Sequence, residues 1–343
     1  MGGTPQPAPT AAAAPGTERD EDLERLDEDI ARYNLEGHWK LIGGVPPEPK
    51  PFAQPYLWRW QDIRRLLWRA GEMRGIEGGA SRRTVRLCTP GHALKWATPT
   101  IHASVQLVKP GEVAEAHRHT MGAMRFIIEG RGGYTAVEGQ KLPMEPGDLI
   151  LTPSWCWHDH GHDGDIPTIW IDIHDFPFGE HLRGIFFEPF ERQQQPLRNA
   201  EATSSPYMFK GHAARAALRA ETRHDPAMGV THLYRREQDD RTLPTMACRL
   251  HRFAPGEQLD AARQTANLIY HVVAGRGVTQ AGGVTLEWQQ GDIFVVPGWT
   301  WHSHACGSEE AILFSISDEP IHKAFGLMRR ETASASGAAK AVG

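Results

Sequence analysis

The chain has 343 residues, of which 40% are hydrophobic and 23% are charged, and its formal net charge is −5 at pH 7. This composition is typical of a folded protein long enough for two domains, and the acidic balance argues against nucleic acid or an anionic membrane surface as the main partner. No apolar run approaches the roughly 20 residues that cross a bilayer, and no secretory signal is recognisable at the start. With only four cysteines and no CxxC motif, the sequence predicts a cytoplasmic protein without a disulfide framework.

The first part of the chain is predicted to be a tail followed by a helical arm. Residues 1–18 are rich in Ala, Pro and Gly and lack large apolar groups, which predicts a disordered tail. Residues 19–80 form the predicted arm. Within it, apolar residues recur at spacings of three and four over 19–32 and again over 58–74, which predicts two amphipathic helices.

A β-rich pattern follows the arm and occurs twice. Residues 81–191 contain short runs such as HASVQLV, AMRFIIEG and DLILTP, separated by glycine and proline, which is typical of a barrel or sandwich. Residues 192–235 are polar or helical and predict a linker. The β pattern returns over 236–330, and small residues over 331–343 predict a second disordered tail.

The second β-rich region repeats the first. LVKPGEVAEAHRHT at 107–120 matches HRFAPGEQLDAARQT at 251–265, and PGDLILTPSWCWHDH at 146–160 matches QGDIFVVPGWTWHSH at 290–304. The matches keep their order at a nearly constant offset. We therefore predict one β-barrel module that is used twice.

Three histidines of the first module have a spacing that suits a metal ion. His117 and His119 lie two residues apart, so on a strand both imidazoles point to one face. His158 follows a predicted strand and a proline turn, so it can complete a facial three-histidine site. Three neutral imidazoles suit Fe, Zn, Cu or Ni and leave coordination positions open.

These motifs resemble those of a known superfamily. The patterns PG-x5-HxH and GD-x4-P-x-W-x-x-H are similar to the two cupin motifs, and their duplication is that of a bicupin. The longer segments HRHTMGAMRFIIEGRGGYTAVEG, GDLILTPSWCWHDHG and WIDIHDFP resemble the gentisate 1,2-dioxygenase family, with its salicylate and 1-hydroxy-2-naphthoate relatives. The resemblance covers about residues 20–330. It implies an all-β fold of two jelly-roll cupin barrels in tandem, with helical N-terminal and linker segments.

The resemblance also implies a reaction and a cofactor. Members of this family hold Fe(II) through three histidines and open a 2-hydroxybenzoate ring between C1 and C2 with O2. We therefore expect one Fe(II) per chain, in the first barrel, held by His117, His119 and His158. Many cupins add a Glu four or five residues after the second histidine, where this chain has Ala123 and Met124. The missing ligand suits a substrate that chelates the metal through its carboxylate and ortho-hydroxyl.

Further residues are candidates for the substrate pocket. Arg125, on the next predicted strand after His119, can pair with a substrate carboxylate through two parallel hydrogen bonds. His160 and Asp172 are predicted to face inward and to accept the proton of the substrate hydroxyl. In the family the positions of these three residues and of Gln106 line the pocket. We interpret His162, His174 and His181 as surface residues or as supports behind the site.

The predicted pocket wall departs from the family pattern at two positions. Relatives usually have Trp-Ala-Gly ahead of the glutamine, whereas this chain has His102, Ala103 and Ser104. On a strand, His102, Ser104 and Gln106 share one face, so this wall is more polar. The polar wall favours gentisate or a 5-substituted salicylate, such as a nitro- or halosalicylate. Arg83, or its neighbour Arg82, is a candidate for a second anion contact.

The second module has lost the metal pattern. His117 aligns with Ala262, His119 with Gln264 and Arg125 with Tyr270, and only His302 remains. One histidine does not hold iron, so the second barrel is predicted to be structural. The alternatives left open are a 1-hydroxy-2-naphthoate dioxygenase, a different cupin enzyme and a non-catalytic metal-binding bicupin. The family resemblance implies a homo-oligomer, commonly a tetramer.

Overall fold

The structure is a computed structural model that describes residues 17–40, 46–73, 83–200, 202, 204–236, 241–333 and 339–342. It divides into two compact units, residues 1–49 and residues 50–343. The first unit contains helix α1 (Thr17–Ala31) and a 3-10 turn (His38–Lys40). Trp39 Nε1 donates a hydrogen bond of 3.1 Å to Asp27 Oδ1 and so joins the turn to the helix.

The second unit begins with a strand and a helix and continues into the first barrel. The elements are β1 (Tyr56–Trp58), α2 (Trp60–Met73), β2 (Thr84–Arg86), β3 (His102–Val108), β4 (Val113–His119), β5 (Ala123–Val137), β6 (Gln140–Pro143), β7 (Leu149–Thr152), β8 (His158–His174), α3 (Phe176–His181) and β9 (Phe187–Pro189). Strands β2 to β9 form one nine-stranded sheet together with β10 (Met208–Phe209), which comes later in the chain. This sheet is barrel 1.

A connecting segment and the second barrel follow. The elements are β10 (Met208–Phe209), α4 (Gly211–Ala220), β11 (His224–Asp225), β12 (Gly229–Leu233), β13 (Ala247–Phe253), β14 (Ala261–Gln264), β15 (Leu268–Ala274), β16 (Arg276–Ala281), β17 (Val284–Gln289), β18 (Ile293–Val296), β19 (His302–Cys306), β20 (Ala311–Ser317), α5 (Glu319–Ala324), β21 (Arg330–Ala333) and β22 (Ala339–Val342). A seven-stranded sheet, β1-β18-β15-β20-β13-β12-β11, and a six-stranded sheet, β17-β16-β19-β14-β21-β22, make barrel 2. Two cupin barrels confirm the predicted all-β bicupin fold.

Long bent strands distinguish barrel 1 from barrel 2. Strands β5 and β8 run through the whole of barrel 1, whereas barrel 2 divides each counterpart into two strands. Strand β5 bends at register shifts between Ile127 and Gly133. Gly130 sits there with a φ of 101°, and a Cβ would lie 2.2 Å from the Pro167 carbonyl oxygen. Only glycine therefore fits at this bend.

The two halves exchange a strand, and the helix that follows each exchanged strand packs on the other barrel. Strand β1 of the N-terminal arm pairs with β18 of barrel 2, while β10 of the predicted linker pairs with β7 of barrel 1. Each exchanged strand leads into a helix that is anchored on a buried aspartate of the same barrel. The Trp60 backbone N–H donates to Asp292 Oδ1 at 2.8 Å, and the Gly211 N–H donates to Asp148 Oδ1 at 2.8 Å. The linker over 192–235 thus supplies structural elements to both barrels.

The largest apolar core lies between the barrels. Phe126 of barrel 1 stacks on Phe314 of barrel 2 with ring centroids 4.1 Å apart, and both side chains are buried. Met124 and Cys248 meet at the same interface, with their sulfur atoms 3.7 Å apart. Because residues alternate along a strand, these apolar residues point outward from their barrels, and their strand neighbours are left to face the interiors.

The predicted tails differ from the structure where it describes them. Helix α1 begins at Thr17, inside the predicted tail over 1–18, and residues 1–16 lie outside the described residues. The disordered tail predicted over 331–343 is wrong for β21 and β22, which pair with each other, while β21 also pairs with β14. Glu331 accepts a 2.7 Å hydrogen bond from Arg263. The small residues of this segment have no hydrophobic pattern that would predict a strand. Strands at the end of a sheet can nevertheless form through backbone hydrogen bonds.

Within the described residues, no helix is long and apolar enough to span a membrane.

The anchoring of helix α2 can be tested by replacing Asp292. We expect Asp292→Ala to lower the free energy of unfolding by about 1–2 kcal/mol, because the first turn of α2 loses its acceptor. The thermal midpoint, followed by circular dichroism, should fall relative to wild type. The matched control is Glu309→Ala, which changes an exposed carboxylate. Equal midpoints for the two variants would contradict the anchoring role of Asp292.

Candidate metal centre and substrate cavity

The structure brings the three predicted histidines together. His117 and His119 lie on β4, and His158 is the first residue of β8, directly opposite His117 in the strand register. All three are buried, and one ligand atom from each lies within 4.8 Å of the others. The ring of His158 is 4.3 Å from that of His117 and 4.8 Å from that of His119, measured between centroids.

Backbone carbonyls fix the tautomer of each of the three rings. The Nδ1 atoms of His117, His119 and His158 lie 2.8, 2.8 and 3.0 Å from the carbonyl oxygens of Glu115, Met121 and Cys156. Since a carbonyl only accepts, each Nδ1 carries the proton and each Nε2 keeps its lone pair. That is the arrangement of histidines that bind a metal through Nε2.

Burial favours the neutral form of two of these imidazoles. Desolvation lowers the pKa of His119 to about 4 and holds the pKa of His158 well below its usual value. His158 Nε2 is buried and makes no hydrogen bond within the described residues. Neutral imidazoles are what a divalent transition metal requires, so the donor set fits such an ion.

A cavity of about 630 Å³ lies beside the three histidines. His117, His119, Met121, Phe187 and Pro189 form one side of it, and the opposite wall comes from β2, β3, β5 and β8. The strand register places Arg125, Asp172, Ser104 and Arg86 in one row across this wall. A second row contains His174 and His102, and Gln106 and Thr84 belong to a third.

Arg125 is the cation at the centre of the wall. Its guanidinium is fully buried, Nη1 donates a 2.7 Å hydrogen bond to Thr152 Oγ1, and Nε lies 3.4 Å from Asp172 Oδ1. Desolvation lowers its pKa, opposed by the charge of Asp172, yet a guanidinium stays protonated in proteins. Asp172 Oδ2 also lies 3.2 Å from His174 Nε2. The carboxylate therefore sits between a guanidinium and an imidazole.

His160 lies behind the three histidines rather than along the cavity. It is wholly buried, shares a 2.9 Å hydrogen bond between its Nδ1 and Thr135 Oγ1, and has its ring 5.8 Å from that of His158. His160 follows His158 by two residues on β8, so both side chains point to the same face of the strand. The His160 ring therefore packs behind the His158 ring inside the barrel.

Arg83 does not line the cavity, so it does not provide the predicted second anion contact. The Arg83 guanidinium pairs with Glu112, and its side chain packs beside Gly71 of α2. Because side chains alternate on β2, Thr84 and Arg86 face the cavity while Arg83 faces the helix. Arg82 lies outside the described residues.

Arg86 and His174 are among the cavity residues that were not predicted from the sequence. Arg86 lies at the cavity wall with its guanidinium carbon 5.1 Å from the centre of the Trp96 ring. His174 lines the cavity beside Asp172, although it was interpreted as a surface or supporting residue. Its spacing of two from the inward Asp172 was the signal that could have found it.

Barrel 2 keeps the scaffold of this site without its donors. Ala262 lies opposite His302, as His117 lies opposite His158, and His302 Nδ1 still contacts the Thr300 carbonyl oxygen at 3.1 Å. His304 and Thr279 share a 2.8 Å hydrogen bond that repeats the buried pair behind the first site. In the described part of the chain, the three histidines of barrel 1 form the single cluster suited to a metal.

Comparison with known proteins identifies the family. A model of the cupin domain matches residues 104–174 and 249–317. The 5-aminosalicylate 1,2-dioxygenase of Comamonas sp is 36% identical to this chain over 92% of each protein. The chain belongs to the gentisate and salicylate 1,2-dioxygenase family. It is accordingly an enzyme, a ring-cleaving dioxygenase of this type.

Other relatives agree with this assignment. The gentisate 1,2-dioxygenase of Streptomyces sp is 32% identical over 90% of this chain and 94% of its own length. The dioxygenase also superposes on the crystal structure of salicylate 1,2-dioxygenase from Pseudoaminobacter salicylatoxidans with gentisate, with a TM-score of 0.83 and 28% identity over 95% of both chains.

The metal centre yields a test that needs no substrate. We expect His119→Ala to lose most of its bound metal, because two imidazoles are too few to hold the ion. Metal content per chain, measured by plasma emission spectrometry, should fall well below that of wild type. His302→Ala is the matched control and should keep its metal, since Ala262 and Gln264 offer no companion ligands. Loss of half the metal in the control would show that barrel 2 binds metal.

Proposed function

We propose that this chain is an Fe(II)-dependent dioxygenase that opens the ring of gentisate or another 5-substituted salicylate between C1 and C2. The observation that carries the proposal is one cavity that has His117 and His119 of the three-histidine cluster on one side and the buried Arg125 on the other. The named activities of the relatives, on gentisate and 5-aminosalicylate, support this substrate class.

Iron is the metal we propose for the three histidines. High-spin Fe(II) takes about six ligands, so three imidazoles leave room for a chelating substrate and for O2. When bound, Fe(II) supplies the site at which O2 and the aromatic ring react, and both oxygen atoms enter the product without a reductant. The positions where other cupins place a Glu hold Ala123 and Met124, both buried apolar residues, which leaves that coordination space to the substrate.

Substrate orientation is proposed to depend on the polar wall. Several buried atoms of the wall make no hydrogen bond within the described residues: His102 Nδ1, Ser104 Oγ, Gln106 Oε1 and Nε2, and Arg125 Nε. Buried polar atoms without partners are costly, and a polar ligand relieves that cost. Arg125 is the proposed partner of the substrate carboxylate, with Gln106 beside it.

The substrate hydroxyl must lose its proton to chelate a metal well. Asp172 is the buried carboxylate of the cavity wall and is the proposed acceptor of that proton. His160 is proposed to assist from behind His158, through the hydrogen bond that orients its ring. Since Arg125 and His174 both contact the Asp172 carboxylate, its charge is balanced while the substrate is absent.

Assembly and location are proposed from the family resemblance. We infer a cytoplasmic homotetramer, for which light scattering should give a mass four times the 38.2 kDa of the chain. A stable monomer in solution would refute the tetramer.

The reaction itself is tested with a panel of substrates. The reconstituted enzyme should consume one O2 per ring opened with gentisate, salicylate, 5-aminosalicylate, 5-nitrosalicylate and 1-hydroxy-2-naphthoate as separate trials. We expect at least one 5-substituted salicylate to be opened more efficiently than the naphthoate. If the enzyme opened only the naphthoate, the alternative function, a 1-hydroxy-2-naphthoate dioxygenase, would be favoured.

Arg125 gives the second test of this function. We expect Arg125→Ala to weaken binding of every carboxylated substrate by ~10- to 150-fold, because a charge-assisted pair worth roughly 1.5–3 kcal/mol is lost. Arg125→Lys should recover only part of the affinity, since the fork geometry is missing. Arg64→Ala, an exposed arginine on α2, is the control. An apparent affinity that is unchanged across the series would remove Arg125 from the substrate site.

The polar wall gives a third test. The double variant His102→Trp, Ser104→Gly should narrow or reverse the preference for a 5-substituted salicylate over salicylate. An unpaired buried polar group costs ~1–3 kcal/mol, so the change in the ratio of kcat/KM values should be about tenfold or more. If kcat/KM changes by the same factor for both substrates, His102 and Ser104 do not discriminate between ring substituents.

A further inference from the structure

Two imidazoles stand side by side along the cavity wall. His102 on β3 and His174 on β8 face each other in the strand register, with their ring centroids 5.3 Å apart, and both line the cavity. The ring of His174 also lies 6.0 Å from that of His119. His119, His174 and His102 therefore form a line of rings that leads away from the metal centre. His174 and His102 thus lie farther along the cavity wall than the candidate metal donors.

The pair offers acceptor atoms to a ligand. His174 Nε2 lies 3.2 Å from Asp172 Oδ2. Because a carboxylate only accepts, this proximity favours the tautomer of a neutral His174 ring that has its proton on Nε2 and its lone pair on Nδ1. Desolvation lowers the pKa of His102 to about 3, and a neutral ring keeps one acceptor nitrogen. These acceptors lie beside the Asp172 carboxylate, in a wall whose cations are Arg86 and Arg125.

Neighbouring side chains hold both rings in place. The Trp96 ring packs edge-on against His102 at 5.4 Å, and Arg86 in turn lies over the Trp96 ring at 5.1 Å. His174 is held by the Asp172 carboxylate on one side and by the His102 ring on the other. Side chains restrained in this way lose little entropy when a ligand binds, so a contact with them discriminates well between ligands.

We propose that His174, paired with His102, is a specificity-determining residue that recognises an amine or a hydroxyl on the substrate ring, remote from the carboxylate. An amine or hydroxyl donates a hydrogen to an imidazole lone pair, whereas the oxygens of a nitro group only accept and would lie near a carboxylate. His102 and Ser104 considered alone favour gentisate and nitro- or halosalicylates alike, and His174 with Asp172 narrows that set to the substituents that donate a hydrogen. This inference rests on the proposed function and assigns its preferred substrate class to 5-amino- and 5-hydroxysalicylates.

The test is a comparison of selectivity in the iron-loaded enzyme. Values of kcat/KM, and dissociation constants measured without O2 by calorimetry, are obtained for salicylate, 5-chlorosalicylate, 5-aminosalicylate and gentisate. In His174→Leu we expect the preference for the amine and hydroxyl substrates over 5-chlorosalicylate to fall about tenfold, the loss of one hydrogen bond of roughly 1–1.5 kcal/mol. His174→Gln keeps a carbonyl acceptor and should recover part of that preference. His181→Leu, on exposed residue 181 outside the cavity, should leave the selectivity as in wild type.

The outcomes separate this inference from the function on which it rests. An equal loss with all four substrates would show that His174 only supports Asp172, and an unchanged selectivity would show that it does not contact the ring substituent. Either result overturns the inference while ring opening by the wild type stands. If His174→Leu does not fold, the selectivity of His174→Gln and of the wild type decides. The wild-type kcat/KM values are then ranked for the 5-amino, 5-hydroxy, 5-chloro and 5-nitro substrates, and a preference for 5-nitrosalicylate overturns the inference. No ring opening by the wild type with any substrate overturns the proposed function instead.

Discussion

The register of β8 against its three neighbours is the constraint on which the site depends. This 17-residue strand pairs with β3, β4 and β5. It therefore carries His158 at one end, against His117, and Asp172 and His174 at the other, against Arg125 and His102. A shift of one residue would turn every one of these side chains to the opposite face. The candidate metal donors and the proposed substrate contacts are thus aligned by the pairing of one strand, while the loop carbonyls of Met121 and Cys156 orient two of the imidazoles.

Barrel 2 shows which parts of the arrangement belong to the scaffold. Arg118 packs between two tryptophans of barrel 1, with its guanidinium carbon 4.5 Å from each ring, and Arg263 does the same in barrel 2 at 4.2 and 5.0 Å. Trp155 and Trp299 share the left-handed backbone conformation, with φ of 64° and 59°. What differs is the reactive set, because Ala262, Gln264 and Tyr270 replace two donors and the arginine. The arginine between two tryptophans therefore belongs to the scaffold that the barrels share, whereas His117, His119 and Arg125 occur only in barrel 1.

The sequence was informative wherever short-range spacing decides the structure. The HxH motif and the later histidine predicted the metal centre because two-residue alternation and a proline turn are local rules. Arg83 was predicted as an anion contact and Arg86 was not considered, because β2 has only three residues, too few for alternation to reveal its inward face. His174 was interpreted as a surface or supporting residue, whereas β8 extends to include it and places it at the cavity. The pairing of β1 with β18 joins Tyr56 to Val295 and had no signal in either segment.

The exchange of segments between the halves has a consequence for biosynthesis. As the chain leaves the ribosome, β10 emerges soon after the last strand of barrel 1 and can pair with β7. Strand β1 has no partner among the described strands until β18 is made, so its backbone groups stay unpaired through most of translation, whereas α2 can already pack on β2 and β3. Contacts of such sequence separation form slowly and leave a strand edge open to wrong partners. The nascent protein is therefore most vulnerable to aggregation in the interval between its two barrels, and a chaperone that shields its N-terminal segment would act in that interval.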